Sequence, residues 1–130
     1  MLDIESFDLG EKCETPFEFE LLDKFGKGTG GFISVYGDDA PLVKSFVYKY
    51  SNNLRIQEAA NERLGKKSKV RTIEEDISAS NELVAIRVAS WRGFKQECTF
   101  DNAVRLVSLN SLAREQILAA SGDLANFTKG

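Results

Sequence analysis

The residues of this chain that could take part in chemistry are its carboxylates, its two cysteines and a run of glycines, because histidine is absent. Without imidazole, the commonest general base near neutral pH and the commonest nitrogen ligand of transition metals are both missing, which excludes serine triads and zinc–histidine sites. Paired-carboxylate acid–base work would need acids such as Glu18, Glu20, Asp38 and Glu97 gathered in a concave pocket with raised pKa values. The clusters Glu74-Glu75-Asp76 and Asp38-Asp39 instead stand where helix starts favour negative charge, and they read as caps. Cys13 and Cys98 lie far apart with no second thiol near either, so they offer neither a metal-ligand pair nor a disulfide framework and suit a reducing compartment. No catalytic residue, cofactor or metal ligand is assigned, and a non-enzymatic protein is expected.

Gly26, Gly28 and Gly31 match G-x-G-x-x-G letter for letter. A dinucleotide fingerprint follows a strand and opens a helix whose N-terminus receives the pyrophosphate. Here the glycines lead into the alternating run Phe32-Ile33-Ser34-Val35-Tyr36, so they read as the mobile tip of a hairpin. Lys66, Lys67, Lys69 and Arg71 form a basic patch without interleaved aromatics, which reads as a solvated linker rather than a nucleic-acid surface. With 17 basic and 20 acidic side chains the net charge is -3, so there is no electrostatic footprint for a phosphate backbone. The segment Met1-Leu2-Asp3-Ile4-Glu5 has no basic leader or apolar core, and no run is long enough to span a bilayer; a soluble, unprocessed chain is expected.

The elements that would hold these residues follow from periodicity. At 130 residues with 42% hydrophobic content, the chain suits one domain, 1–130. Residues 1–15, with five acids and little periodicity, read as an extended arm. Residues 16–37 read as an antiparallel β-hairpin, Phe17, Phe19 and Leu21 alternating with Glu18, Glu20 and Leu22 before the glycines and the second strand. Residues 38–130 read as a mostly helical body with one strand. Asp38 or Asp39 caps a long helix whose face Leu42, Val43, Phe46, Val47, Tyr50 and Leu54 supplies much of the core, with Gly65 as its stop. Thr72-Ile73-Glu74-Glu75 has the form of a capping box opening a helix whose buried stripe begins at Ile73 and Ile77. Ser80 and Asn81 interrupt that stripe, which predicts a short helix, and the run near 83–91 reads as a third strand. Thr99 or Asp101 then begins one helix and Asn110 or Ser111 another, with a bend at Gly122-Asp123. The fold class is α+β: an N-terminal hairpin, a third strand and about four helices.

Between Trp91 and Phe127, apolar and aromatic anchors recur with no residue suited to catalysis. With Phe17-Glu18-Phe19-Glu20-Leu21-Leu22, the glycine joint before Phe32-Ile33-Ser34-Val35-Tyr36-Gly37, Trp91-Arg92-Gly93-Phe94, Thr99-Phe100-Asp101-Asn102-Ala103, Arg114-Glu115-Gln116-Ile117 and Asn126-Phe127, the chain resembles the tail assembly chaperones of long-tailed, siphovirus-type bacteriophages. The resemblance covers most of the chain in short pieces. It implies a non-catalytic protein that binds the tape measure protein, keeps it soluble, and helps recruit major tail tube subunits, the last through a longer product of ribosomal frameshifting. It implies a homo-oligomer, ring or spiral, acting in the host cell cytoplasm and absent from the mature virion, with no nucleic-acid or membrane partner and no cofactor. The inferred protein-interface residues are Phe46, Tyr50, Trp91, Phe94, Phe100 and Phe127. A virion structural protein of the tail or head–tail connector is the alternative.

Overall fold

The computed structural model describes residues 2–63 and 73–128. Strands β1 (Phe17–Leu22) and β2 (Gly28–Val35) form the hairpin, and β3 (Val88–Arg92) pairs antiparallel on the other side of β2, giving the order β1-β2-β3. Phe19 and Trp91 both lie opposite Ile33, while Glu18 and Ser90 both lie opposite Ser34. Successive side chains on a strand face opposite sides. Phe19, Leu21, Ile33, Val35 and Trp91 therefore meet the helices, and Glu18, Glu20, Phe32 and Arg92 lie on the far face. There Arg92 stacks its guanidinium 3.9 Å above the Phe32 ring and donates two hydrogen bonds to Glu18 on the solvent side of the sheet.

The helical layer consists of α3 (Ile73–Ala85), α4 (Phe100–Leu109) and α5 (Ser111–Gly122). They bring Val84, Val107, Ala113 and Ile117 onto Leu21, Ile33 and Val35. Full burial of side chains such as Ile33 and Ile117 is worth about 1.5–3 kcal/mol each. Two caps set where α4 and α5 begin: Thr99 Oγ1 accepts from the Asn102 amide, and Asn110 Oδ1 accepts from Leu112 and Ala113. A smaller cluster of Cys13, Ala40 and Val43 joins α1 (Leu9–Cys13) to the start of α2 (Pro41–Arg63), and Phe127 of α6 (Ala125–Thr128) packs against both clusters.

Several expectations need correction. The first fifteen residues are not extended: a 3-10 turn over Ile4–Phe7, capped by Asp3, is followed by α1, capped by Asp8, and Cys13 is fully buried. Asp and Ser side chains close local turns at their own backbone, which the search for longer periodicity passes over. The hairpin tip is not the glycine run. Its turn is Asp23–Lys27, closed by a 2.8 Å bond from the Asp23 amide to the Lys27 carbonyl, while Asp23 Oδ1 accepts from Phe25 and Lys27. Gly28, Gly30 and Gly31 belong to β2 itself. Helix α3 does not stop at Ser80 and Asn81 but continues to Ala85, so the third strand starts at Val88 rather than near 83. Both polar side chains face neighbouring helices and are hydrogen-bonded there, which leaves nothing to break the helix. There are six α-helices among the described residues rather than about four.

The largest correction concerns α2. It does not supply much of the core: Val43 is its one fully buried side chain among those described, and Leu42, assigned to the inner face, is exposed. Beyond Tyr50 every described side chain of α2 except Leu54 is exposed, so the distal half of the helix stands clear of the body. Its residues are good helix formers, but unsupported helices of this length are marginal in water. Amides of α2 beyond Tyr50 will therefore exchange with deuterium on the order of 100-fold or more faster than those of β2, as peptide-resolved exchange would measure. The expected stop at Gly65, the basic linker Lys66 to Arg71 and the capping residue Thr72 lie outside the described residues.

Asp38 is not a helix cap. Its Oδ1 lies 2.8 Å from the fully buried Ser121 hydroxyl, which is also 2.8 Å from the Tyr36 carbonyl, and it accepts a 2.9 Å bond from Arg87 Nε. The Asp38 amide in turn donates to the Ser121 carbonyl. This network ties the end of β2 to α5 and to the turn before β3. Asp39 instead pairs with Lys44 at 3.2 Å, one turn into α2.

Candidate functional site

Helix α3 is held at its C-terminal half, where Ala79, Asn81, Val84 and Ala85 are buried, and is free at its N-terminal half. The result is a groove of about 470 Å³ between the first turns of α3 and the corner where α4 meets α5. Ile73 and Ile77 form one lip and Val107 is part of the floor, with Ser80, Asn81, Ser108 and Arg114 along the polar wall. The polar wall is already satisfied internally. Asn81 Nδ2 donates to Ser108 Oγ at 3.2 Å, Ser108 Oγ donates to the Val104 carbonyl at 2.7 Å, and Arg114 donates to Ser80 Oγ at 2.6 Å. The isoleucines have no such neighbours: Ile73 is 76% exposed and Ile77 55%. Leu109 and Leu112, at the α4–α5 corner, are also exposed. Around that corner a smaller recess of about 150 Å³ is lined by Trp91, Phe94, Arg105, Leu106 and Leu109. Such a surface can hold an apolar segment of another chain.

The six aromatic positions expected at an interface do not form one surface. Trp91 and Phe94 stack with ring centroids 4.7 Å apart, half-buried against the core, and Trp91 Nε1 donates to the Gln96 carbonyl at 2.9 Å. Phe46 meets Phe100 at 6.0 Å, and Phe127 meets Phe17 edge-on at 6.3 Å. Tyr50 is half-buried on the inner side of α2. Phe100 is the one of the six that is exposed. Exposed large apolar side chains include Ile56, Ile73, Ile77, Leu109 and Leu112 as well as the aromatics Phe7, Phe25 and Tyr48. Ile73 and Ile77, read as the start of a buried stripe, are thus on the surface. The signal that separates them from core positions is the pair Ser80 and Asn81, which marks the helix face turned toward polar partners.

Glu18, Glu20, Asp38 and Glu97 do not converge. Glu18 and Glu20 stand on the far face of the sheet, Asp38 is engaged with Ser121 and Arg87, and Glu97 offers its backbone carbonyl to Asn102. Hydrogen bonds from the Arg92 guanidinium hold the Glu18 carboxyl below the ordinary glutamate range, the opposite of what a general acid needs. Burial pushes the Cys13 and Cys98 thiols up, which makes both poor nucleophiles. The glycine match opens no helix, so its backbone amides cannot converge on a phosphate as a fingerprint requires. Among the described residues there is no group of three or more metal-ligating side chains, and no helix is long and apolar enough to cross a membrane. Comparison with models of protein families, with curated proteins and with solved structures returned no match.

Proposed function

We propose that this protein is a non-catalytic chaperone of phage tail assembly that holds the tape measure protein, a long helical client, and helps bring tail tube subunits to it. The observation that carries the reading is the groove of α3, α4 and α5, whose apolar lip of Ile73 and Ile77 is left open while its polar wall is satisfied. An amphipathic helix laid in such a groove would bury hydrocarbon on both sides while Asn81 and Ser108, and Arg114 and Ser80, keep their bonds to each other. The aromatic recess at Trp91 and Leu109 is set by other positions of α4 and is a separate surface. In this reading the protein works in the host cytoplasm, is absent from the finished particle, and a longer frameshifted form contacts the tube protein.

The test is co-expression with a tape measure fragment that precipitates by itself. The chain should keep the fragment soluble, and Ile73→Asp with Ile77→Asp should lower the affinity at least about tenfold, since central apolar contacts carry most of such binding. Both positions are exposed, so the variant should remain folded. Equal precipitation with and without the protein would end the assignment, and its recovery as a stoichiometric component of purified virions would favour a permanent structural role.

A further inference from the structure

The recess of about 150 Å³ on α4 differs from the groove in the state of its polar atoms, which are unengaged. Trp91, Phe94, Leu106 and Leu109 supply its apolar lining, and Gln96, Asn102 and Arg105 its polar lining. The rings are held in place. Both pack against the core, Trp91 Nε1 is tied to the Gln96 carbonyl, and Phe94 lies over Gly31, its ring carbons 3.0 Å from where a Cβ would stand. Arg105 is exposed and makes neither an ion pair nor a hydrogen bond among the described residues. Asn102 uses Nδ2 to brace the Glu97 carbonyl and keeps Oδ1 without a donor among them, and the Gln96 side-chain amide is likewise unengaged. Glu97 and Asp101 are the carboxylates closest in sequence to these groups, yet neither lines the recess or pairs with Arg105. The cation therefore faces the recess without a counter-charge. A donor that is already free loses no protein partner when a ligand binds, unlike Arg114 in the groove, which is bonded to Ser80.

At about 30 Å³ per water, the recess has room for about five waters, which is the space of one large side chain and not of a helical turn. A one-side-chain apolar pocket with a free guanidinium and a free amide oxygen matches the end of a polypeptide, where a side chain, a carboxylate and an amide N–H are all carried on a single Cα. An internal segment would need a second side chain to bring the charge, and chain would have to leave the recess in both directions. We infer that the recess captures the C-terminus of a partner polypeptide whose last residue is large and apolar. The last side chain lies against Trp91, Phe94, Leu106 and Leu109, the carboxylate accepts from Arg105, and the last amide N–H donates to Asn102 Oδ1, with the Gln96 amide as a further donor in the same lining. Charge-assisted bonding to a terminal carboxylate gives the site its selectivity, and the aromatic wall gives it its preference for size. The groove of α3 plays no part in this contact.

The test is a magnetic resonance titration of the isotope-labelled full chain with N-acetylated Ser-Gly-Ser-Gly-Leu bearing a free C-terminus. Trp91 is the single tryptophan, so the one indole N–H signal reports on the recess. The peptide should move that signal with a Kd on the order of 0.1–1 mM, the range expected when one residue makes most of the contact. Its C-terminal amide should bind at least about tenfold more weakly, as should the free acid ending in glycine. Arg105→Gln should bind acid and amide alike, and Leu109→Ser should weaken both; both positions are exposed, so the unliganded spectrum should otherwise be unchanged. Equal affinity for acid and amide, a preference retained by Arg105→Gln, tighter binding of the N-acetylated, amidated peptide Ser-Gly-Leu-Asp-Gly-Ser, or a stationary indole signal at about tenfold above the expected Kd overturns the proposal. Ile73→Asp with Ile77→Asp should bind the peptide as the wild-type chain does, so failure here and failure of the groove reading are told apart.

Discussion

Replacing Gly93 by alanine will destabilise the protein by about 2–5 kcal/mol, from left-handed strain together with overpacking. Gly93 follows β3 with φ +84, and a Cβ there would stand 2.2 Å from the Gly30 carbonyl oxygen and 3.2 Å from the Gly31 Cα. Those atoms are backbone of the central strand and cannot rotate away. Gly30 supplies an internal control, because it has the same φ of +84 but nothing within 4 Å of its Cβ position. Gly30→Ala should therefore cost only the conformational part, about 1–2 kcal/mol. Urea unfolding followed by the fluorescence of Trp91, the single tryptophan, measures both. Equal costs for the two substitutions would mean that the end of β3 does not cross the glycine segment of β2 at this distance. The crossing matters for the site. Gly31 lies under the Phe94 ring, and without that approach Phe94 and Trp91 lose the stack that lines the recess beside Leu109.

A second substitution should act locally. A Cβ on Gly37 would fall 2.3 Å from Cys13 Sγ, 2.6 Å from Cys13 Cβ and 3.1 Å from the Phe127 ring. Both partners sit on short terminal elements, the five-residue α1 and the four-residue α6, which can leave the body without unfolding the sheet. Gly37→Ala should thus appear as undocking of α1, with loss of the 3.0 Å bond from the Gly37 amide to the Cys13 carbonyl. An overpacking cost of about 1–3 kcal/mol, drawn from the local opening equilibrium, corresponds to roughly 10–100-fold faster alkylation of Cys13. In the wild-type protein Cys13 is shielded twice, by full burial and by the raised thiol pKa that burial causes. Mass-resolved alkylation at mild alkaline pH distinguishes Cys13 from the half-buried Cys98. Cys13→Gly should relieve the clash and return the core to near its original stability. An unchanged alkylation rate in Gly37→Ala would show that α1 is not held against the end of β2.

Local pattern was a reliable guide wherever a residue's role depends on its immediate neighbours in the chain. Alternation at Phe17 to Leu22 and at Phe32 to Tyr36 predicts strands; the first is β1 and the second, as far as Val35, belongs to β2. Thr99 or Asp101, and Asn110 or Ser111, predict helix starts, and Thr99 and Asn110 are the caps. The α+β class, the N-terminal hairpin and the third strand follow from these signals alone. Periodicity marks the apolar side of a helix but not what lies against it. The stripe of α2 is real, yet the body reaches only its first turns; Ile73 and Ile77 belong to a stripe that the packing of α3 leaves uncovered.

Of the six aromatics inferred for an interface, Trp91, Phe94, Phe46 and Phe127 each found a ring or a core neighbour, while Phe100, like Ile73 and Ile77, stayed exposed. Asp38 shows the same limit at one residue: beside Pro41 it reads as a cap, but Ser121 and Arg87, 83 and 49 positions away, claim its carboxylate. Element type is written in steric and hydrogen-bonding preferences that act over a few residues, so it can be read along the chain. Which apolar face is covered depends on where distant elements come to rest, because burial is a competition among all the surfaces of the molecule, and beyond Tyr50 the described side chains of the longest helix, Leu54 excepted, are left exposed.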